Sequence, residues 1–335
     1  SIVGSRSVVS ASQKTNLHKI KELNIVQKIP PEDDHLTNEQ PSTNVDSSEN
    51  YSWFRTLNYK KDYLNLLNNA VNKQQMTQGE SSNLLERKLK ELLKVKHVIL
   101  TNSGTSALFM ASVALGISQK KKIICTDMTW VATINPAIIS GSKIRLVDTE
   151  PNSQNVSYKK LNQEIKKFKP DLVMLVHLNG DVLFDKEFDK LKKTMNFQVI
   201  EDAAQSFLSK SKDDIFAGTK YEIGCFSLSV TKLIHMVYGG FCVTNSDTLA
   251  SKLYSIRNNG VRQGSNSFYL GSAEFPGLNL KPSDLHANIG LINLRNRSRI
   301  ISSANRISIF YNKSLKNNKI KLLKQDVANS IPTYN

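Results

Sequence analysis

Apolar positions recur at helical spacing over residues 59–73 and 82–94, and the pattern then changes to short apolar runs alternating with amphipathic segments. The runs predict strands at His97–Thr101, Lys122–Thr126, 144–147, Leu172–Val176 and 198–200, separated by helix-like segments at 105–115, 132–139, 161–168 and 185–194. Such alternation predicts an α/β fold, a mostly parallel sheet flanked by helices on both faces. Further β-like runs end at Ser227 and follow Gly239-Gly240. A helix over 246–260 comes next, with Ser246 as its cap and Gly260 as its stop. Ser283-Asp284 then opens a long amphipathic stretch to about residue 315, suited to dimer packing, ahead of a β-like 319–323.

Residues 1–52 break the pattern. They are rich in Ser, Asn, Thr, Gln and Pro, with an acidic Pro31-Glu32-Asp33-Asp34, and predict a linker or disordered segment. The opening IVGSRSVV has the form of one partial hexapeptide coil, which admits the tail of an upstream domain but is no repeat. The expected organisation is therefore a linker over 1–52, a large domain over 53–282 and the start of an incomplete small domain over 283–335. The chain opens on Ser1 without the features of a signal peptide, as expected of a fragment or a processed product.

Composition narrows the class. Hydrophobic residues at 39% and charged residues at 22% are ordinary for a globular chain. No apolar run approaches the roughly 20 residues of a membrane helix. Cys125, Cys225 and Cys242 are far apart and lack a CxxC or CxxH partner, so buried thiols in a reducing cytoplasm are expected rather than a zinc site or disulfides. A net charge of +16 admits nucleic acid, a membrane surface or an anionic small substrate. The lysines fall in short clusters such as Lys120 to Lys122, with no Arg-rich arm or base-stacking aromatics, and this favours a solvated surface over a nucleic-acid face.

Candidate chemistry sits where ligands gather in such sheets, at the carboxyl ends of the strands. Ser103-Gly104-Thr105 follows the first run, Trp130 the second, His177 the fourth and Asp202 the fifth. About 30 residues after Asp202, Lys232 stands alone between two apolar runs, the pairing that pyridoxal 5′-phosphate (PLP) requires. The carboxylate would keep the pyridine nitrogen charged, and the amine would condense with the aldehyde. Gly104 with its flanking hydroxyls would suit a phosphate at the start of a helix, although Ser or Thr there also serves as an ordinary cap. Trp130 would stack on a flat ring or fill core space. Gln205 would bond the cofactor's phenolic oxygen or cap the turn, and His177 reads as structural.

Taken together, MTQG (Met76 to Gly79), NSGTSAL (Asn102 to Leu108), TWVAT (Thr129 to Thr133), VHLNG (Val176 to Gly180), IEDAAQS (Ile200 to Ser206), GCFSLSVTK (Gly224 to Lys232), GGFCVTN (Gly239 to Asn245), RNNG (Arg257 to Gly260) and GLNLKPSDLHANIGL (Gly277 to Leu291) resemble the DegT/DnrJ/StrS family of PLP-dependent sugar-nucleotide aminotransferases. The resemblance implies the aspartate aminotransferase-like type I fold and a homodimer with shared active sites. It implies Lys232 as Schiff-base lysine and proton shuttle, Asp202 on the pyridine nitrogen, Trp130 on the ring face and Gln205 near the phenolic oxygen. Gly104, Thr105 and Ser227 would hold the phosphate, and Asn279 would reach the phosphate of the neighbouring subunit's cofactor. Glutamate would be the usual donor and a nucleotide-linked keto sugar the acceptor, for aminosugar and cell-surface polysaccharide synthesis. The chain departs from the family at Val237-Tyr238, where Gly and an acidic residue are usual, at Asn259 for His and at Leu280-Lys281 for Tyr-Arg. A non-catalytic binding or regulatory descendant is one alternative. A PLP-dependent sugar dehydratase is another, disfavoured because that chemistry typically replaces the lysine with histidine.

Overall fold

The computed structural model describes residues 76–261 and 273–314, together with Ser330, Ile331 and five positions between 64 and 72. Those five (Leu64, Asn65, Asn68, Val71 and Asn72) are helical, in keeping with the first amphipathic segment. The expected linker over 1–52 and the β-like 319–323 lie outside the described residues. In chain order the elements are α1 (Glu80–Leu93), β1 (His97–Thr101), α2 (Gly104–Ala114), β2 (Lys122–Thr126), α3 (Asn135–Ile139), β3 (Lys143–Val147), α4 (Tyr158–Phe168), β4 (Leu172–Val176), α5 (Lys186–Met195), β5 (Gln198–Asp202), β6 (Ile223–Ser227), β7 (Gly240–Thr244), α6 (Asp247–Arg257), α7 (Asp284–Arg295) and α8 (Arg297–Ser314).

The seven strands form one sheet in the order β1-β7-β6-β5-β4-β2-β3. Only β7 runs against its neighbours, β1 and β6. Period-two alternation sends Ile123, Cys125, Met174 and Ile200 to one face, where they pack under α2 and α6 with Ala107, Met110, Leu253 and Ile256. Ile124, Val173, Leu175 and Val199 go to the other face, against Leu161 and Ile165 of α4 and Phe188 and Leu191 of α5. A central strand with both faces covered reads as a continuous apolar run, and LVMLV of β4 is buried throughout. The edge strand β3 instead exposes Lys143, Arg145 and Leu146, and its charges discourage pairing with another chain.

The structure refines several boundaries. The expected helix over 132–139 is a 3-10 turn, Val131–Thr133, followed by α3, because proline is tolerated only in the first turn of a helix and Pro136 therefore sets where α3 begins. Strand β5 runs on to Asp202, which places that carboxylate at the strand's last position. The stretch from Asp284 divides at Asn296, whose side chain donates to the carbonyl of Ile292 at 2.9 Å and so competes with continued helix. Ser246 caps α6 as expected, accepting from the amide of Leu249, but the helix ends at Arg257, three residues before Gly260.

Asp284 ties α7 to α1. Gly79 begins α1 without a side-chain cap, and the buried Asp284 carboxylate supplies one, accepting from the Ser82 amide at 2.7 Å, the Ser82 hydroxyl at 2.8 Å and the Ser81 amide at 3.3 Å. Asp284→Ala strands these donors and is expected to cost about 2–3 kcal/mol. Thermal unfolding should then fall by roughly 4–10 °C. Asp284→Asn keeps one acceptor and should lose clearly less. Equal loss in the two variants would mean that packing, not capping, is the role of this side chain.

Candidate active site

The site gathers at the carboxyl ends of β1, β5 and β6. Asp202 is 5% exposed, and its carboxylate accepts from the Thr133 hydroxyl at 2.6 Å and from the Ala204 amide at 3.0 Å. Burial pushes its pKa up, while the Thr133 and Ala204 hydrogen bonds, the Lys232 ammonium and His177 pull in the opposite direction. Burial is the largest of these effects, and a protonated pyridine nitrogen beside the carboxylate would favour its charged form.

Lys232 enters from the turn after β6. Its amide donates to the Ser229 carbonyl at 2.9 Å, the Val230 amide donates to the Val237 carbonyl at 2.8 Å, and the chain then returns to β7 through Gly239 and Gly240. Lys232 is half-buried beside Ala204, Ser227 and Leu233. Val237 closes this turn at φ 67°, in the left-handed region that a β-branched residue rarely occupies. A branched residue in this conformation stores local strain in the turn.

The start of α2 is built by close backbone approach. Ser103 caps α2 by accepting from the Ser106 amide at 3.0 Å, so the cap reading is realised. A Cβ on Gly104 would lie 2.7 Å from the Ser227 Cβ, and one on Gly240 would lie 2.5 Å from the Ser103 carbonyl carbon. Only glycines let the first turn of α2 sit against β6 and β7. The amides opening that turn have no partner within the helix and, with Ser227 against Gly104, would suit an anion as a cradle. Cradle, buried carboxylate and lysine therefore fit PLP.

The remaining predicted residues separate. Trp130 is 73% exposed and does not fill core space; it precedes the turn that carries Thr133 to Asp202. Gln205 accepts from the Asn179 amide at 3.1 Å, which anchors the VHLNG corner. His177 is buried, its ring 3.0 Å from Glu201, and Glu201 also accepts from the amides of Gly218, Lys220 and Tyr221 at 2.8–2.9 Å. Adjacent carboxylates of β5 thus part company, with Glu201 pinning a loop and Asp202 facing the site. Asn279 is exposed on the segment whose neighbours Leu278 and Leu280 bond the end of α6 and the end of β1. Sequence reasoning missed Thr133, since nothing in TWVAT marks which hydroxyl reaches a strand 69 residues away.

The fold is that of a PLP-dependent aminotransferase. A family model described as the DegT/DnrJ/EryC1/StrS aminotransferase family matches residues 58–331, and the chain belongs to this family of PLP-dependent nucleotide-sugar aminotransferases. Over 263 residues it is 29% identical to the UDP-4-amino-4,6-dideoxy-N-acetyl-beta-L-altrosamine transaminase of Campylobacter jejuni subsp. jejuni serotype O:23/36 (strain 81-176), spanning 78% of this chain and 69% of that protein. Over 239 residues it is 29% identical to the GDP-perosamine synthase of Escherichia coli O157:H7, spanning 71% of this chain and 64% of that one. The crystal structure of a DegT DnrJ EryC1 StrS aminotransferase from Brucella abortus superposes with a TM-score of 0.74 at 25% identity, covering 82% of this chain and 73% of that one.

Proposed function

We propose that this protein transfers the amino group of glutamate to the keto carbon of a nucleotide-linked deoxysugar, supplying aminosugars for cell-surface polysaccharide in the cytoplasm. The observation that carries the proposal is the buried Asp202 carboxylate at the end of β5, within electrostatic reach of Lys232, with the close Gly104–Ser227 approach at the end of the neighbouring β6. PLP bound there supplies an electron sink for the carbon that loses its proton. Asp202 holds a proton on the ring nitrogen, and Thr133 and Ala204 fix the orientation of its carboxylate. Lys232 moves a proton at its Nζ between donor and acceptor carbons. Gly104, Thr105 and Ser227 grip the phosphate, Trp130 covers the ring, and Gln205 orients the phenolic edge. Asn279 of the partner subunit completes the cradle in a homodimer.

The two curated relatives act on UDP- and GDP-linked sugars, so the nucleotide is open, and the positive surface suits either diphosphate. The test supplies PLP and glutamate with keto deoxysugars linked to UDP or GDP, and follows 2-oxoglutarate together with the aminosugar. Stoichiometric appearance of both is expected with at least one acceptor. PLP binding without 2-oxoglutarate would favour the non-catalytic reading, for which the strained Val237 and the 67% exposed Tyr238 beside the lysine turn are the specific support. Loss of a sugar hydroxyl with no amino transfer would favour the dehydratase.

A further inference from the structure

The Lys120-Lys121-Lys122 cluster has no part in the site and lies at the opposite end of the sheet. Strand register sets Lys122 beside Lys143, and the Lys143 amide donates to the Lys121 carbonyl at 2.9 Å. Lys121 and Lys169 line one shallow recess with Asp171, Asn196 and Gln198, beyond the amino ends of β2, β4 and β5. The last turn of α5 adds Lys193 to the same end. Asp171 at this end is engaged with Lys121 at 3.1 Å, Glu222 with Lys192 at 2.5 Å, and the Lys122 ammonium donates to the Phe168 carbonyl at 3.2 Å, while Lys120, Lys143, Lys169 and Lys193 have no acidic partner among the described residues.

An apolar feature lies within this floor. Helix α3 ends there on Ile138 and Ile139, which are 57% and 76% exposed. The following turn is tied down by the Ser142 hydroxyl, which donates to the Ser118 carbonyl at 2.8 Å, two residues before Lys120. Exposed isoleucines beside clustered lysines match a bilayer interface, where the charges meet anionic headgroups and the apolar side chains enter the acyl boundary. Nucleic acid would engage the lysines, but Arg145 and Phe168 near this end are packed on each other, the guanidinium 5.4 Å from the ring centroid with the Lys122 ammonium at 5.6 Å, and exposed isoleucines add nothing to a phosphate contact. No helix among the described residues is long and apolar enough to cross a membrane, so contact would be peripheral.

We propose that the floor formed by Lys120, Lys121, Lys122, Lys143, Lys169 and Ile139 docks on an anionic lipid surface with the active-site end turned toward solvent. The test is co-sedimentation of the whole chain with vesicles of phosphatidylcholine alone or with about 30% phosphatidylserine, where each lysine near the anionic surface contributes about fivefold in affinity. Binding is expected only to the anionic vesicles and should weaken as salt rises. Lys120→Gln with Lys143→Gln should lower it about 25-fold. Lys159→Gln with Lys186→Gln removes equal charge at the active-site end and should leave it nearly unchanged. Ile139→Ser should weaken vesicle binding but not the binding of a single-stranded oligonucleotide. Equal binding to neutral vesicles, no binding to either, equal loss in the two double variants, or insensitivity to Ile139→Ser would each overturn the proposal. None of these outcomes depends on amino transfer.

Discussion

Lys232→Ala is expected to abolish turnover, with a fall of about 10⁴-fold or more, because in the proposed mechanism one side chain would both hold the cofactor covalently and move the proton. Acid–base assistance alone contributes about 10²–10⁴. Borohydride treatment of the native protein with PLP should leave a stable label on Lys232, found by peptide mapping, and the variant should carry none. A label on another lysine would sink the assignment. The same variant tests the shared site. Refolded together with Asn279→Leu chains, Lys232→Ala chains should form mixed dimers in which one pocket takes both lesions and the other takes neither. Partial activity should therefore return. If each Asn279 served its own chain, every mixed pocket would keep one lesion and nothing would return.

Asp202→Asn is expected to separate stability from function. In the native fold burial raises the Asp202 pKa above its unfolded value, so protonation favours the folded state, and that contribution is lost as pH rises through the folded pKa. At neutral pH the cofactor-free protein therefore retains a carboxylate that would be better off in water. An asparagine can keep the Ala204 bond through its carbonyl and can donate to Thr133, whose hydroxyl can turn to Thr129 at 2.7 Å. The cofactor-free variant should thus melt higher than the parent at pH 7, and the gap should close as the pH is lowered. Turnover should fall by about 10²–10⁴, since losing one member of a buried charge pair costs about 3–5 kcal/mol. A variant that melts lower at pH 7 would show that burial does not disfavour the carboxylate, and one that keeps the parental half-reaction with glutamate would show that Asp202 does not face the ring nitrogen.

Much of this site was legible because its parts follow strand ends. Short apolar runs placed β1, β2 and β4 to the residue, and once the strands are placed, Gly104 and Trp130 follow the carboxyl ends of β1 and β2, and Asp202 closes β5 two residues past the expected run. The lysine was legible through its isolation between two apolar runs. What stayed hidden depends on contacts between distant segments. Thr133 looks like any polar residue in a turn, and Asp284 resembles a cap for its own helix although it caps α1. Gly240 reads as a turn glycine, and its need for no side chain is set by Ser103. The left-handed Val237 has no local signal at all, since β-branched residues normally argue for strand.

The antiparallel β7 has a consequence for how the protein is made. Its partner β1 pairs Thr101 with Gly240, and the backbone at Ser103 rests against that same glycine. Contacts of such sequence separation form late, because a long loop must close before they repay its entropy. A chain emerging from the ribosome can build the β2-β3 pair while it is still growing, but the first turn of α2 leans on both β6 and β7 and lacks the second of these supports until residue 244 is free. Cofactor capture is therefore confined to the end of synthesis of this domain, and a nascent chain arrested before β7 would offer the vitamin no cradle.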